Sequence, residues 1–143
     1  MKKTLIITAL LLVAIQFIPV DRNNPPVDPA KEVQADAAVA AILKRGCYDC
    51  HSNETRWPAY ASVAPVSFVV ASHVHDARKA LNFSEYAAIA PETKKVRLER
   101  AVMTVNNGRM ALPSYLSAHD DARLSAAEKK TLTAWFEAEL ERI

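Results

Sequence analysis

A chain of 143 residues, half of them hydrophobic, is long enough for one domain with a real but small core. Only two glycines and few alternating β-branched runs count against a sheet protein, whereas the Ala, Leu, Glu and Lys content suits helices. The formal net charge of +2 comes with no basic cluster that could grip phosphates, which excludes nucleic-acid binding.

Lys2 and Lys3 precede an uncharged apolar run from Thr4 to Val20, the order of a secretory signal. Residues 1–20 are therefore expected to be a signal peptide or an uncleaved signal anchor. At about 1.5 Å per residue, residues 4–20 make a short but possible membrane span. Ile15 to Val20 offers no A-x-A-like cleavage site, which favours the uncleaved anchor. The lysines would then be cytoplasmic and everything after Asp21 would lie on the periplasmic side of a bacterial inner membrane. Cleavage would instead leave a soluble periplasmic protein. No cysteine follows the run, which argues against a lipoprotein anchor. Residues 21–29 read as a polar, Pro-rich spacer, and 30–143 as the folded domain.

Four helical stretches are predicted beyond the spacer. In the first, Asp28 is the N-cap and Pro29 the first helical residue, with Ala35, Val39, Ile42 and Leu43 on one face and Gly46 at the end. It delivers Cys47-Tyr48-Asp49-Cys50-His51, two thiols three apart followed at once by a histidine, the pattern that attaches c-type haem. One helical turn sets the sulfurs at about the spacing of the two haem vinyl groups, to which they would bond as thioethers. His51 Nε2 would be the proximal iron ligand. From this chain's own frequencies the pattern would arise by chance with a probability of roughly 8 × 10⁻⁴, so accident explains it poorly. The competing reading is a thioredoxin-like dithiol, which normally follows a strand in an α/β context, and no such strand is predicted.

The second helix begins near Pro65 and carries Val66, Val69, Val70, His73 and Ala77 on one stripe. The third starts near Pro91, buries Leu98, Ala101, Val102 and Val105, and stops at Asn106-Asn107-Gly108, where a left-handed residue can end it. The last opens with a capping box, Ser125 with Glu128, and places Leu132, Trp135, Phe136, Leu140 and Ile143 on the side expected to pack on the first helix.

A haem iron held by one histidine has a second axial position, for which the candidates are Met103, Met110, His73, His75 and His119. Met103 lies about 140° around its helix from Leu98 and so faces away from the core. Met110 follows the helix-ending Gly108 and precedes Pro113, in a loop free to present its thioether; it is the favoured ligand. His73, on the apolar stripe, is its rival, although a histidine there is more often a hydrogen-bonded core residue. His75 and His119 read as solvated. A backbone carbonyl near Pro65 is expected to hold the His51 Nδ1 hydrogen. Trp57, Tyr60 and Tyr115 could pack on the haem with a polar tip toward a propionate, or simply fill the core. Arg56 or Arg109 could neutralise a propionate.

The order helix, C-x-x-C-H, methionine loop and capped terminal helix resembles a class I cytochrome c. The strings Asn23-Asn24-Pro25-Pro26, Cys47 to Pro58, Ala64-Pro65-Val66-Ser67, Leu81 to Glu85 and Met110 to Tyr115 resemble the bacterial haem-binding domain family over nearly the whole chain. The chain departs from the family's usual Pro and Trp at Ala111 and Tyr86. The resemblance implies an all-α, class I cytochrome c-like domain of about four helices around one covalent haem c, with His51 and Met110 as iron ligands. Electron transfer between redox partner proteins at the exposed haem edge is the leading expectation, by a monomer and without enzymatic activity. The alternatives are a haem-based sensor or ligand-binding module with a displaceable methionine, and a dithiol oxidoreductase without haem.

Overall fold

The computed structural model describes residues 1–143 and is all-helical. Helix α1, Lys2–Ala14, continues as a 3₁₀ turn over Ile15–Phe17. It is apolar on every side and buries no residue, so its sequence has no face to offer a core. No helix is long and apolar enough to cross a membrane. The end of this segment is nonetheless fixed. The Gln16 side chain bonds both polar groups of Ala64, its Nε2 donating to the carbonyl at 3.0 Å and its Oε1 accepting from the amide at 2.9 Å.

Helix α2, Ala37–Gly46, begins later than the Asp28-Pro29 pair predicts. Asp36 is its N-cap, accepting from the amides of Ala38 and Val39 at 2.9 Å. Asp28 caps only a turn, through the amide of Ala30. The cause is tertiary: the Val33 amide donates to the Phe83 carbonyl at 2.8 Å and the Lys31 carbonyl accepts from Ala87, which holds this stretch out of the helix.

The core joins Val39, Ile42 and Leu43 of α2 to Leu98 and Val105 of α5, Pro91–Asn106, and to Leu132 and Phe136 of α7, Ala126–Glu141. Helix α7 packs mainly on α5 and less on α2, so its expected partner is only one of two. Its predicted capping box is present: the Ser125 hydroxyl accepts from the Glu128 amide, and the Glu128 carboxylate from the Ser125 amide. Arg45, at the end of α2, also bonds the Glu128 carboxylate. Between α2 and α5 run the one-turn helix α3, Tyr48–His51, and helix α4, Val66–Ala80.

The stripe on α4 does not meet the core. Its buried residues are Ser67 and Val74, while Val66 and Val69 are 44% and 53% exposed. Arg78 ties α4 to the rest: Nε donates to the Ser52 carbonyl, one Nη to the Asn23 carbonyl, and the other to Asn24 Oδ1 and Thr55 Oγ1, all within 3.0 Å. The Pro-rich stretch before α2 is thereby tied down rather than free, with Pro26 also accepting from Asn53.

Hydrogen bonds to a charged group are worth about 1.5–3 kcal/mol each, partly offset here by water, so Arg78→Ala should lower the unfolding free energy by roughly 2–3 kcal/mol in denaturant melts. Hydrogen bonds from the Ser125 backbone, then the Arg45 guanidinium, hold the Glu128 carboxyl down to about 2 from an ordinary 4.5. A carboxyl with a lower folded value stabilises the fold above its unfolded value and withdraws that support as pH falls through the folded one. Glu128→Gln should therefore flatten the dependence of thermal midpoint on pH between about 5 and 2 relative to the unaltered chain.

Candidate functional site

Helix α2 ends at Gly46 because Cys47 leaves the helical region, with φ of −129°, and the chain restarts as the single turn α3. The Cys47 carbonyl accepts from the amides of Cys50 and His51 at 3.2 and 2.8 Å, so the turn sets both sulfurs and the imidazole along one wall. The two residues between the thiols fasten this turn from behind. Tyr48 stacks on Phe83 with ring centroids 5.7 Å apart, and its hydroxyl donates to Glu32. Asp49, 8% exposed, accepts from Arg56 Nε and Nη2 at 3.0 and 3.2 Å and from the Tyr115 hydroxyl at 2.8 Å. Burial opposes its charge, but the Arg56 and Tyr115 bonds outweigh burial and hold the carboxyl below the usual range.

Cys47, Cys50 and His51 line a cleft of about 320 Å³, of whose 24 lining residues 16 are hydrophobic. An adjoining cleft of about 290 Å³ shares Asp49, Cys50, His73, Leu112 and Tyr115 with it. The α4 stripe forms one side of these clefts: Val66, Val69 and Val70 line the second, Ala77 the first, and His73 both. The stripe is thus an apolar wall of these clefts instead of a core contact.

The His51 ring has one nitrogen committed. Nδ1 lies 2.9 Å from the Leu81 carbonyl, which can only accept, so Nδ1 carries the hydrogen and Nε2 keeps its lone pair. Burial pulls the imidazole below its ordinary pKa, so the ring is neutral at neutral pH. The predicted carbonyl near Pro65 is not the partner. The Pro65 carbonyl accepts from Phe68 inside α4, and Pro65 N-caps that helix outside both clefts. Leu81 closes the far end of α4, thirty residues from His51, which spacing alone does not reveal.

Met110 lines the same cleft as the thiols and is half-buried against the core. Gly108 puts it there. With φ of 71° it turns the chain back, so that the amides of Arg109 and Met110 both donate to the Thr104 carbonyl, at 3.0 and 3.1 Å. Met103 is 55% exposed and lines neither cleft, as its position on the helix predicts. His75 is exposed, but His119 is not the solvated residue expected: its ring stacks on Tyr115 at 4.2 Å, and its Nε2 is 2.8 Å from the Tyr60 hydroxyl.

Of the supporting residues, Tyr115 lines both clefts and Tyr60 the second. Their hydroxyls are engaged by Asp49 and His119, not left free for a propionate. Trp57 lines neither cleft; its indole donates to Asn24, because the loop after α3 folds back on residues 23–26. Arg56 borders the second cleft but is bound to Asp49, and Arg109 borders neither. Arg97 and Arg100, unremarked in the sequence, line the first cleft together with Ala101 and Thr104. Their i, i+3 spacing on the same face as Ala101 was the available signal.

No group of three or more His, Cys, Asp or Glu side chains could hold a free metal ion. What the site offers is two thiols, one neutral imidazole and one thioether on apolar walls, which fits a flat macrocycle carrying its own equatorial iron ligands. A family model described as a haem-binding domain matches residues 10–138. No curated protein and no solved structure matches the chain.

Proposed function

The chain belongs to the haem-binding domain family, and on that premise we propose that it is a monohaem c-type cytochrome carrying single electrons between redox proteins. One observation supports this above the others: Cys47, Cys50, His51 and Met110, from two stretches far apart in sequence, line one apolar cleft. When bound, haem supplies a one-electron iron couple. Cys47 and Cys50 would hold it through thioethers, and His51 Nε2 and the Met110 sulfur would bind its iron. The Leu81 carbonyl holds the Nδ1 hydrogen of His51 and fixes the plane of its ring, which raises the basicity of Nε2. The walls keep water away, which together with a thioether ligand favours the reduced state. The order of α2, the thiol turn on α3, the Met110 loop and a capped α7 packed on α2 and α5 supports a class I cytochrome c-like arrangement.

With two side chains bound to the iron, no place would be left there for a substrate, and the chain is not an enzyme in this reading. Partner proteins would meet a small, transient patch at the open edge of the cleft, with the chain acting as a monomer. Lys2, Lys3 and the apolar α1 favour export to the periplasmic side of an inner membrane, where c-type haem is attached. The dithiol reading is disfavoured by the thiols themselves. Burial, then the neighbouring Cys50, pushes Cys47 up to about 12, and burial, then Asp49, pushes Cys50 up to about 11. An activated nucleophile needs the opposite shift.

The test is the visible spectrum, oxidised and reduced, of protein exported in a host that matures c-type haem, with a denaturing gel stained for haem. Covalent haem with the weak far-red band of ferric His/Met ligation is expected; a colourless protein with two titratable thiols would sink the reading. Met110→Ala should keep covalent haem, lose that band and bind carbon monoxide, while Met103→Ala should leave the spectrum unchanged. Covalent haem that lacks the band in the unaltered protein, and that is opened to carbon monoxide by His73→Ala but not by Met110→Ala, would move the second ligand to His73.

A further inference from the structure

The Met110 loop is fastened at both ends. On one side the Met110 amide donates to the Thr104 carbonyl of α5 at 3.1 Å. On the other, the chain passes from Met110 into the one-turn helix α6, Pro113–Leu116, whose Tyr115 hydroxyl donates to Asp49 at 2.8 Å. Asp49 lies between the two thiols, so this bond joins the turn that carries Cys47, Cys50 and His51 to the loop that carries Met110. Asp49 and Tyr115 both line the two clefts, which puts the bond at the boundary between them. Both partners are held still. Arg56 grips Asp49 with two nitrogens, and the Tyr115 ring lies against His119, with 14° between the ring planes, itself bonded to Tyr60.

We infer that Tyr115 is a positioning residue: its hydrogen bond to Asp49 latches the Met110 loop against the thiol turn and sets how readily the methionine side of the site opens to an outside ligand. The inference rests on the haem reading above. Removing the hydroxyl leaves the Tyr115 ring stacked on His119 and every proposed ligand in place. Only the strap between loop and turn is lost. A loop released on that side samples arrangements in which Met110 lies farther from His51, and a ligand that competes with the thioether gains by that population.

Carbon monoxide binding to the ferrous holoprotein reads this directly. Tyr115→Phe should keep covalent haem on the stained gel and bind carbon monoxide about tenfold more tightly, a change of about 1.4 kcal/mol. Tyr86→Phe is the control for general loosening, because it removes the same group from a bond to Glu139, 2.9 Å long, on a residue that lines neither cleft. Its carbon monoxide affinity should equal that of the unaltered protein. In an Asp49→Ala background, Tyr115→Phe should have no further effect, since the acceptor is already gone. An unchanged affinity in Tyr115→Phe, or a full effect in the Asp49→Ala background, would overturn the latch. A protein without covalent haem would instead overturn the parent reading, and the latch would then be read from amide exchange at Met110. Faster exchange in Tyr115→Phe upholds it and unchanged exchange removes it.

Discussion

The carbonyl of Leu81 is the fixed point of this molecule. By accepting the Nδ1 hydrogen of His51 it chooses the tautomer, sets the ring plane and leaves the other nitrogen available in the cleft. A single backbone carbonyl can do this only if the chain around it is rigid, and much of the loop structure serves that end. Asn82 caps the next turn by accepting from the Ser84 amide and donates to Asn53, while the Asn53 amide donates to the Ser84 hydroxyl. Arg78, three residues before Leu81, reaches the loop that follows His51 from the other side. The histidine and its acceptor are thus joined by several short routes besides their own bond.

The hydrophobic residues divide between two tasks. Those of α2, α5 and α7 make a core of ordinary kind, with Leu43, Leu98 and Leu132 wholly buried, and turn only an edge, Ala101, Val105, Leu132 and Phe136, to the first cleft. Those of α4 and the Met110 loop line the clefts, and α4 is held chiefly by polar contacts at its ends instead of by a buried face. For a chain of this length such a division leaves a small protein core. It also explains why so many asparagines, arginines and tyrosines are paired at distance: they supply the order that apolar packing does not.

What the sequence made legible was local. The thiol turn, the Met110 loop after Gly108, the Ser125–Glu128 box and the outward Met103 each depend on residues within a turn or two of one another. What it hid was long-range. Asp28 reads as the N-cap of the first helix, yet the helix starts at Asp36, because Val33 pairs with Phe83 and holds the stretch between the two aspartates out of the helix. His119 looks solvated until Tyr60, 59 residues earlier, arrives beside it. The α4 stripe is a true helical periodicity, yet period alone cannot say whether a face meets protein or a cleft.

Glu128 both caps α7 and bonds Arg45, two residues before the first thiol, across 83 positions of sequence. Leu132 and Phe136 of the same helix form part of the cleft wall around the thiols. These contacts cannot exist until the last stretch of the chain has been synthesised and folded back. The thiols therefore emerge well before the helix that encloses them. Until that final helix docks, one wall of their cleft is missing, and they are most open to chemistry from outside the chain.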